Sequence, residues 1–339
     1  MSENKKIFLI NFGGIGDEIL FLPVVFSLKE KFPNSEITLC LEPRSKGIKD
    51  LCPLIDEVFC VDVKNQNKYK TFLSIVKFMR SKKFDMVISS GANKFIPVLL
   101  FMSGIKTKIG YSSGWLANIL LTKAVKLNKN QYAGNMYHDL VEDLTGLEAK
   151  LPYIKLNSSS DILGFGEPFK EENSVLIHPG VSKMSIQKGM VKIFGASKWI
   201  EIIEALIQRG KRVFLAGGPD DDEIINKITN GISPNLKSRV LNYYGKTKNL
   251  YDLAELISKM EVMICSDSAP MHIGVATKTK TVAIFGPTDE KKLLPQNSNF
   301  IPVTVNCDCR PCLWEKRTTT CENLYCLNFN TEDIIRHCF

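Results

Sequence analysis

Short apolar runs alternate along this chain with longer stretches of helical periodicity. Lys6–Phe12 (KIFLINF) is almost unbroken and stops at Gly13-Gly14, the form of a strand buried on both faces. Asp17–Phe32 carries apolar residues at helical spacing and ends before Pro33. Glu36–Leu41 and Glu57–Val61 read as strands, Lys70–Ser81 as a helix and Met86–Ser89 as a strand. This alternation predicts a parallel sheet with helices on both faces.

Asn157–Asn173 is polar, rich in Ser and Gly, and breaks the pattern. The alternation then restarts. Ser174–His178, Arg212–Ala216, Val262–Cys265 and Thr281–Phe285 read as strands, and Lys198–Arg209 and Leu250–Lys259 as helices. The pattern predicts an α/β fold of two Rossmann-like doubly wound domains, residues 1–156 and 174–339, with residues 157–173 as linker. No short repeat is visible. Two such domains are expected to face an interdomain cleft, and ligands of open α/β sheets gather beyond the carboxyl ends of the strands.

The 339 residues suit about two domains, and 44% hydrophobic with 24% charged content excludes a disordered or low-complexity chain. The longest apolar run, Ile96–Met102, is too short to cross a bilayer. Asp17 and Glu18 interrupt the first hydrophobic stretch, so no signal peptide is expected and the cytoplasm is the expected location. Residues 1–155 hold 22 Lys and Arg against 15 Asp and Glu, whereas residues 156–339 hold 22 against 21. The basic N-terminal half fits an anionic partner or a solvated lysine-rich surface. It lacks the basic and aromatic interleaving of single-strand binders, and no nucleic-acid partner is expected.

Three constellations can carry chemistry. Gly13-Gly14-Ile15-Gly16-Asp17 lies between a strand and a helix, where Asp17 can be a general base or a helix cap. Gly14-x-Gly16 with Glu42 at the end of the second strand also resembles part of a dinucleotide site, but Ile19 holds the third glycine's place. Ser266-Asp267-Ser268-Ala269-Pro270-Met271-His272 follows a strand and opens a helix that can bind an anion such as a diphosphate. Asp267 or Ser268 can equally cap that helix, and His272 can be a core histidine. Phe285-Gly286-Pro287-Thr288-Asp289 has the same two readings. Last, five of the ten cysteines crowd into the segment Cys307–Cys326. Cys309, Cys312, Cys321 and Cys326 are a tetrahedral set for structural zinc or iron, with Cys307 as a spare, unless the thiols are unligated.

Gly13–Asp17 with Pro23 and Leu28-Lys29 resembles the opening of glycosyltransferase family 9, the bacterial heptosyltransferases. Pro53-x-Ile55-Asp56-Glu57-Val58 is similar to the family's next signature. Asp267-Ser268-x-Pro270-Met271-His272 and Ala283-x-Phe285-Gly286-Pro287-Thr288 are similar to the third. Order and spacing hold from residue 6 to about residue 330. The resemblance implies a GT-B architecture, with the acceptor in the N-terminal domain and a nucleotide sugar, typically ADP-heptose, in the other. It implies an inverting transfer without catalytic metal, onto a lipopolysaccharide core or related surface glycan, with Asp17 as base. Lys198 of Lys198-Trp199 matches a phosphate-contacting lysine, and Ser268, Ala269, Met271 and His272 match the diphosphate turn. Gly180, Val181 and Ser182 fall near the donor, and Gly14, Gly16, Gly217, Asp267, Gly286 and Thr288 are further candidates for binding substrate or donor.

Two departures stand out. Ala269 replaces a usual glycine, and the stretch Lys183–Ser197 is inserted before Lys198, with Lys188 and Lys192 as substitute phosphate ligands or as a surface loop. One subgroup of the family, protein heptosyltransferases, has an iron-binding finger in the cysteine-rich region. A glycolipid acceptor would bring the basic half to the inner face of the membrane as a peripheral contact. A protein acceptor, or a nucleotide-dependent epimerase or dehydrogenase, are the alternatives.

Overall fold

The computed structural model describes residues 4–156, 171–183, 186, 194–313, 321 and 324–339. Most of the proposed linker, and Lys188, Gly189 and Lys192 of the insertion, lie outside them. The chain divides into two compact units, Met1–Pro152 and Tyr153–Phe339.

In the first unit, the strands β1 (Lys6–Ile10), β2 (Glu36–Leu41), β3 (Glu57–Cys60), β4 (Met86–Ser89), β5 (Thr107–Tyr111) and β6 (Lys123–Val125) form one sheet in the order β3-β2-β1-β4-β5-β6. Every pairing is parallel. The strands are apolar runs because both faces are covered. Phe8, Ile10 and Val87 of the sheet share one core with Ile75, Val76 and Met79 of α3 (Lys68–Lys82). Leu99 and Leu100 of α4 (Ile96–Met102) and Ala117 of α5 (Trp115–Leu120) join the same core, so these three helices cover one face.

The helix α1 (Ile15–Lys31) buries residues on all sides, from Glu18 to Leu28, because α6 (Ala133–Thr145) packs over it. A buried Ser27 Oγ to His138 Nε2 hydrogen bond of 2.8 Å and an edge-on Phe21–Tyr137 ring pair lock the two helices together. The short α2 (Ile48–Leu51) follows β2.

The second unit repeats this topology. Its strands β7 (Glu171–His178), β8 (Arg212–Leu215), β9 (Val240–Asn242), β10 (Met260–Ser266), β11 (Lys280–Phe285) and β12 (Phe300–Thr304) run in the order β12-β11-β10-β7-β8-β9. Counted from β7, this is the strand order of the first sheet, and again every pairing is parallel. Trp199, Ile203 and Leu206 of α7 (Ala196–Gln208) fill its core with Val175, Ile177 and Ile264. The helices α8 (Asp222–Gly231), α9 (Leu250–Ser258) and α10 (Ala269–Ala276) follow.

The expected doubly wound α/β fold is therefore present twice. The strand order reverses beside β1 in one sheet and between β7 and β10 in the other. At such switch points the loops at the carboxyl edge separate and leave room for a ligand.

Candidate functional site

Asp17 sits at the switch point of the first sheet, as the third residue of α1 after the extended Gly14. Its Oδ2 accepts the Gly14 N–H at 2.8 Å, so it does cap the helix. Its Oδ1 is left to Tyr137, whose hydroxyl donates at 3.4 Å from α6. Gly13 is required here: a Cβ on it would stand 2.2 Å from the Asp17 Cβ. The capping role thus fixes one carboxylate oxygen and leaves the other at the mouth of the site.

The ground beneath Asp17 is polar and buried. Glu18 is fully buried, and its Oε1 accepts the Gly13 N–H at 3.3 Å. Burial holds its carboxyl well above the usual carboxylate range. Burial also raises the Tyr137 phenol, with the Asp17 and Glu18 carboxylates adding to the effect, so this hydroxyl remains a donor. Asn11 donates from Nδ2 to the Asp17 carbonyl at 3.4 Å and accepts a short hydrogen bond from Ser90.

Arg44 closes the other side. A Cβ on Gly14 would lie 3.7 Å from both its Nη1 and Asp17 Oδ2, so guanidinium and carboxylate flank that glycine. Glu42 holds Arg44 Nε at 3.0 Å and Lys64 Nζ at 2.6 Å on one buried oxygen. The acid weighed as a ribose ligand is thus already committed to two cations. Gly16 is the second residue of α1 and, with Gly14, shapes the turn that presents Asp17.

The second sheet places most of the remaining candidates at its own switch point. Asp267 ends up buried behind the loop, where the buried Thr288 hydroxyl donates to it in a short hydrogen bond. Ser268 is the N-cap residue of α10 by position, yet its hydroxyl turns to the Ser266 carbonyl at 3.3 Å. Ala269 opens the helix, and Met271 and His272 are buried in its first turns. Ser182 lies in the chain that leaves β7. Lys198 is in the first turn of α7, paired with Glu201 at 2.8 Å, and Trp199 is core.

Gly217 and Gly218 follow β8, and Asp221 Oδ2 accepts the Gly218 N–H at 2.7 Å. A Cβ on Gly180 would fall 1.9 Å from Asp221 Oδ1. Burial pushes Asp221 up to about 6 and the neighbouring His178 down to about 4. Their 4.0 Å contact therefore joins a neutral imidazole to a carboxyl, not two opposite charges. Sequence reasoning missed this pair, as it missed Tyr137, Glu18 and Arg44.

The cysteine-rich segment is anchored to the same region. Arg310 Nε donates to the Gly286 carbonyl at 2.5 Å, and its Nη2 to the Thr288 carbonyl at 3.1 Å and to Glu290 at 2.9 Å. The Cys312 and Leu313 amides donate to the Pro287 carbonyl. Cys307 and Cys309 have their sulfurs 3.6 Å apart. Burial, followed by the thiols of Cys307, Cys309, Cys312 and Cys321, pushes the Cys326 thiol up to about 11. Among the described residues no three His, Cys, Asp or Glu side chains are arranged as a metal-binding group.

Comparison with known proteins agrees with this architecture. The chain is 27% identical to lipopolysaccharide heptosyltransferase 3 of Escherichia coli K12 over 303 residues, 84% of each protein. It superposes on E. coli ADP-heptose lipopolysaccharide heptosyltransferase II with a TM-score of 0.71 at 16% identity, over 98% of both chains. It superposes on E. coli heptosyltransferase WaaC with ADP-2-deoxy-2-fluoro heptose with a TM-score of 0.67 at 15% identity, over 89% of this chain and 93% of that one. The fold is thus GT-B, an α/β fold of two doubly wound domains. The model of glycosyltransferase family 9 (heptosyltransferase) matches residues 72–323, most of the length, and the chain belongs to that family.

Proposed function

We propose that this enzyme transfers heptose from ADP-heptose onto a lipopolysaccharide core or related surface glycan, with inversion and with Asp17 as general base. The observation that carries the assignment is the divided role of the Asp17 carboxylate. Oδ2 is tied to the Gly14 amide, and Oδ1 stands at the carboxyl edge of the sheet beside a protonated Tyr137 and the Arg44 guanidinium. Oδ1 takes the proton of an acceptor hydroxyl as that oxygen bonds to the anomeric carbon and the bond to the ADP oxygen breaks. ADP leaves with the electron pair. The start of α10 and the Gly286–Thr288 turn offer backbone amides for its diphosphate, with Ser182 after β7 and Lys198 in the first turn of α7 as further contacts. Direct displacement on one face gives the opposite anomer.

The relatives' names and bound nucleotide support ADP-heptose as donor. A thermal-shift panel of ADP, GDP, UDP, CDP and NAD, followed by transfer assays with ADP-heptose and core oligosaccharide, tests it. Stabilisation by ADP with transfer is expected. Stabilisation by NAD alone overturns the assignment.

The proposal includes a structural metal held by Cys309, Cys312, Cys321 and Cys326, supported by the crowding of thiols around Cys326. Four thiolates suit zinc or iron, and binding would draw the sulfurs together. Metal analysis of chelator-free protein is expected to find about one equivalent; a metal-free, fully folded sample contradicts it.

A further inference from the structure

Asp17 shares its turn with a second acid. Glu18 follows it in the chain, and the two carboxyls hold adjacent amides. Asp17 Oδ2 takes the Gly14 N–H at 2.8 Å, and Glu18 Oε1 takes the Gly13 N–H at 3.3 Å. Consecutive donors set the two acids side by side across the glycine turn. Their surroundings are opposite. Asp17 is half-buried at the mouth of the site, whereas Glu18 is 0% exposed beneath it.

No step of the transfer uses this second acid, and the packing does not call for it. Glu18 is the one ionisable side chain among the buried residues of α1, which run on through Ile19, Leu20, Phe21 and Leu22. Its Oε2 is buried with no hydrogen bond of ordinary geometry, although Asn11 lies beside the carboxyl. An apolar side chain there would leave no orphaned oxygen, so the acid lowers stability. Buried acids of this kind gather where a reaction uses them. Tyr137 of α6 and Cys40 of β2 also face Glu18, and burial raises both, so they stay uncharged. The charges within its reach are those of Asp17 and Arg44.

We propose that Glu18 is a positioning residue for the Asp17 base, fixing the glycine turn that aims it and setting its basicity through the charge of a second carboxyl. The inference rests on Asp17 as base. While Glu18 carries its proton, it is a neutral acceptor for the Gly13 N–H. Once that proton leaves, a negative charge stands beneath Asp17, where little water screens it. A like charge disfavours the ionised form of its neighbour, and Arg44 offsets this only in part. Asp17 then takes the proton of the acceptor hydroxyl more readily. Two carboxyls coupled in this way lose their protons in two steps that belong to the pair. Turnover should therefore rise with pH in two steps.

The test is the pH profile of kcat for transfer by the parent, Glu18→Gln and Glu18→Leu, with ADP affinity and a melting curve for each. Glu18→Gln keeps an acceptor for the Gly13 N–H but cannot ionise. It should keep the first step and lose the second, leaving its kcat several-fold below the parent's at the alkaline end. Glu18→Leu removes the acceptor as well. It should lower kcat across the whole range by on the order of tenfold or more, as a misplaced base does. Both should bind ADP as the parent does, because the proposed diphosphate turn belongs to the other unit. A Glu18→Gln profile that overlays the parent's overturns the proposal, as does a folded Glu18→Leu that turns over like Glu18→Gln. ADP affinity lost in step with turnover also overturns it, in favour of a general role in folding. If Glu18→Leu does not fold, the Glu18→Gln profile decides alone. Asp17→Asn measured alongside separates the two readings. Parent-like turnover by Asp17→Asn ends the role of Asp17 as base and this inference with it. Lost turnover there, with Glu18 variants that match the parent, ends only the role of Glu18.

Discussion

Gly14 with Asp17 in one unit and Gly218 with Asp221 in the other are the same device used twice. Each glycine precedes a helical turn and donates its N–H to the aspartate three residues on, at 2.8 and 2.7 Å. Each aspartate lies against a second glycine whose side chain it would exclude, Gly13 and Gly180. The surroundings differ. Asp17 is partly exposed, with Tyr137 and Arg44 beside it. Asp221 is sealed in with a neutral His178, and burial holds its carboxyl up at about 6. One fold therefore builds the same capped carboxylate twice, and the two differ in their access to solvent and to a cation.

The sharpest way to break the comparison is to remove the space that both aspartates need. Gly13→Ala and Gly180→Ala should each cost about 3 kcal/mol, the upper range for overpacking, because neither carboxylate can retreat without losing its glycine N–H. Only Gly13→Ala should also displace the proposed base. Melting curves read the first effect and transfer assays the second.

Acidification separates the two sites next. Asp221 titrates at about 6 in the fold against 3.8 as its ordinary value, so its contribution to stability is fully present below about 3.8 and lost as pH rises through about 6. His178 has the opposite slope: its contribution is present above 6.5 and lost as pH falls toward about 4. Between these limits the two largely cancel. Asp221→Asn should expose the histidine, making stability fall on acidification by about 2–3 kcal/mol. His178→Asn should reverse that slope. Denaturant midpoints measured across this range decide it.

Arg310→Lys comes next. It removes the forked donor that holds the Gly286 and Thr288 carbonyls, and should cost about 1–3 kcal/mol and weaken stabilisation by ADP. Isothermal titration with ADP checks the second part. The smallest effect is expected of Glu18→Gln, which keeps the shape of the buried carboxyl and its contact with the Gly13 N–H. Because burial raises the Glu18 carboxyl, the variant should lose the fall in stability that the parent shows as pH rises. Denaturant midpoints that fall with rising pH as steeply in the variant as in the parent would contradict it.

The strands bounded by Gly, Pro or polar residues were legible in sequence, often within a residue, as Glu36–Leu41 and Met86–Ser89 illustrate. The region of α4, β5, α5 and β6 was not. Ile96–Met102 is apolar throughout, and its periodicity does not separate a buried strand from a helix. Lys123–Val125 is three residues long, and it pairs only because β5 lies beside it.

The site divides the same way. Asp17 announces itself through the glycines around it. Tyr137 reaches it from 120 residues away, a contact made by the packing of α6 on α1 that no local pattern encodes. The Arg310 contacts fall on backbone carbonyls, which carry no residue signature.

The central claim is that Asp17 is the aspartate of the pair that does the chemistry. Its most direct test is heptose transfer from ADP-heptose by Asp17→Asn, beside Asp221→Asn, with ADP binding measured on the same preparations. Asp17→Asn should lower turnover by about 10²–10⁴-fold, the usual contribution of a general base, while ADP binds as to the parent. Asp221→Asn should retain turnover at neutral pH. Turnover by Asp17→Asn equal to that of the parent, with ADP bound normally, would contradict the account.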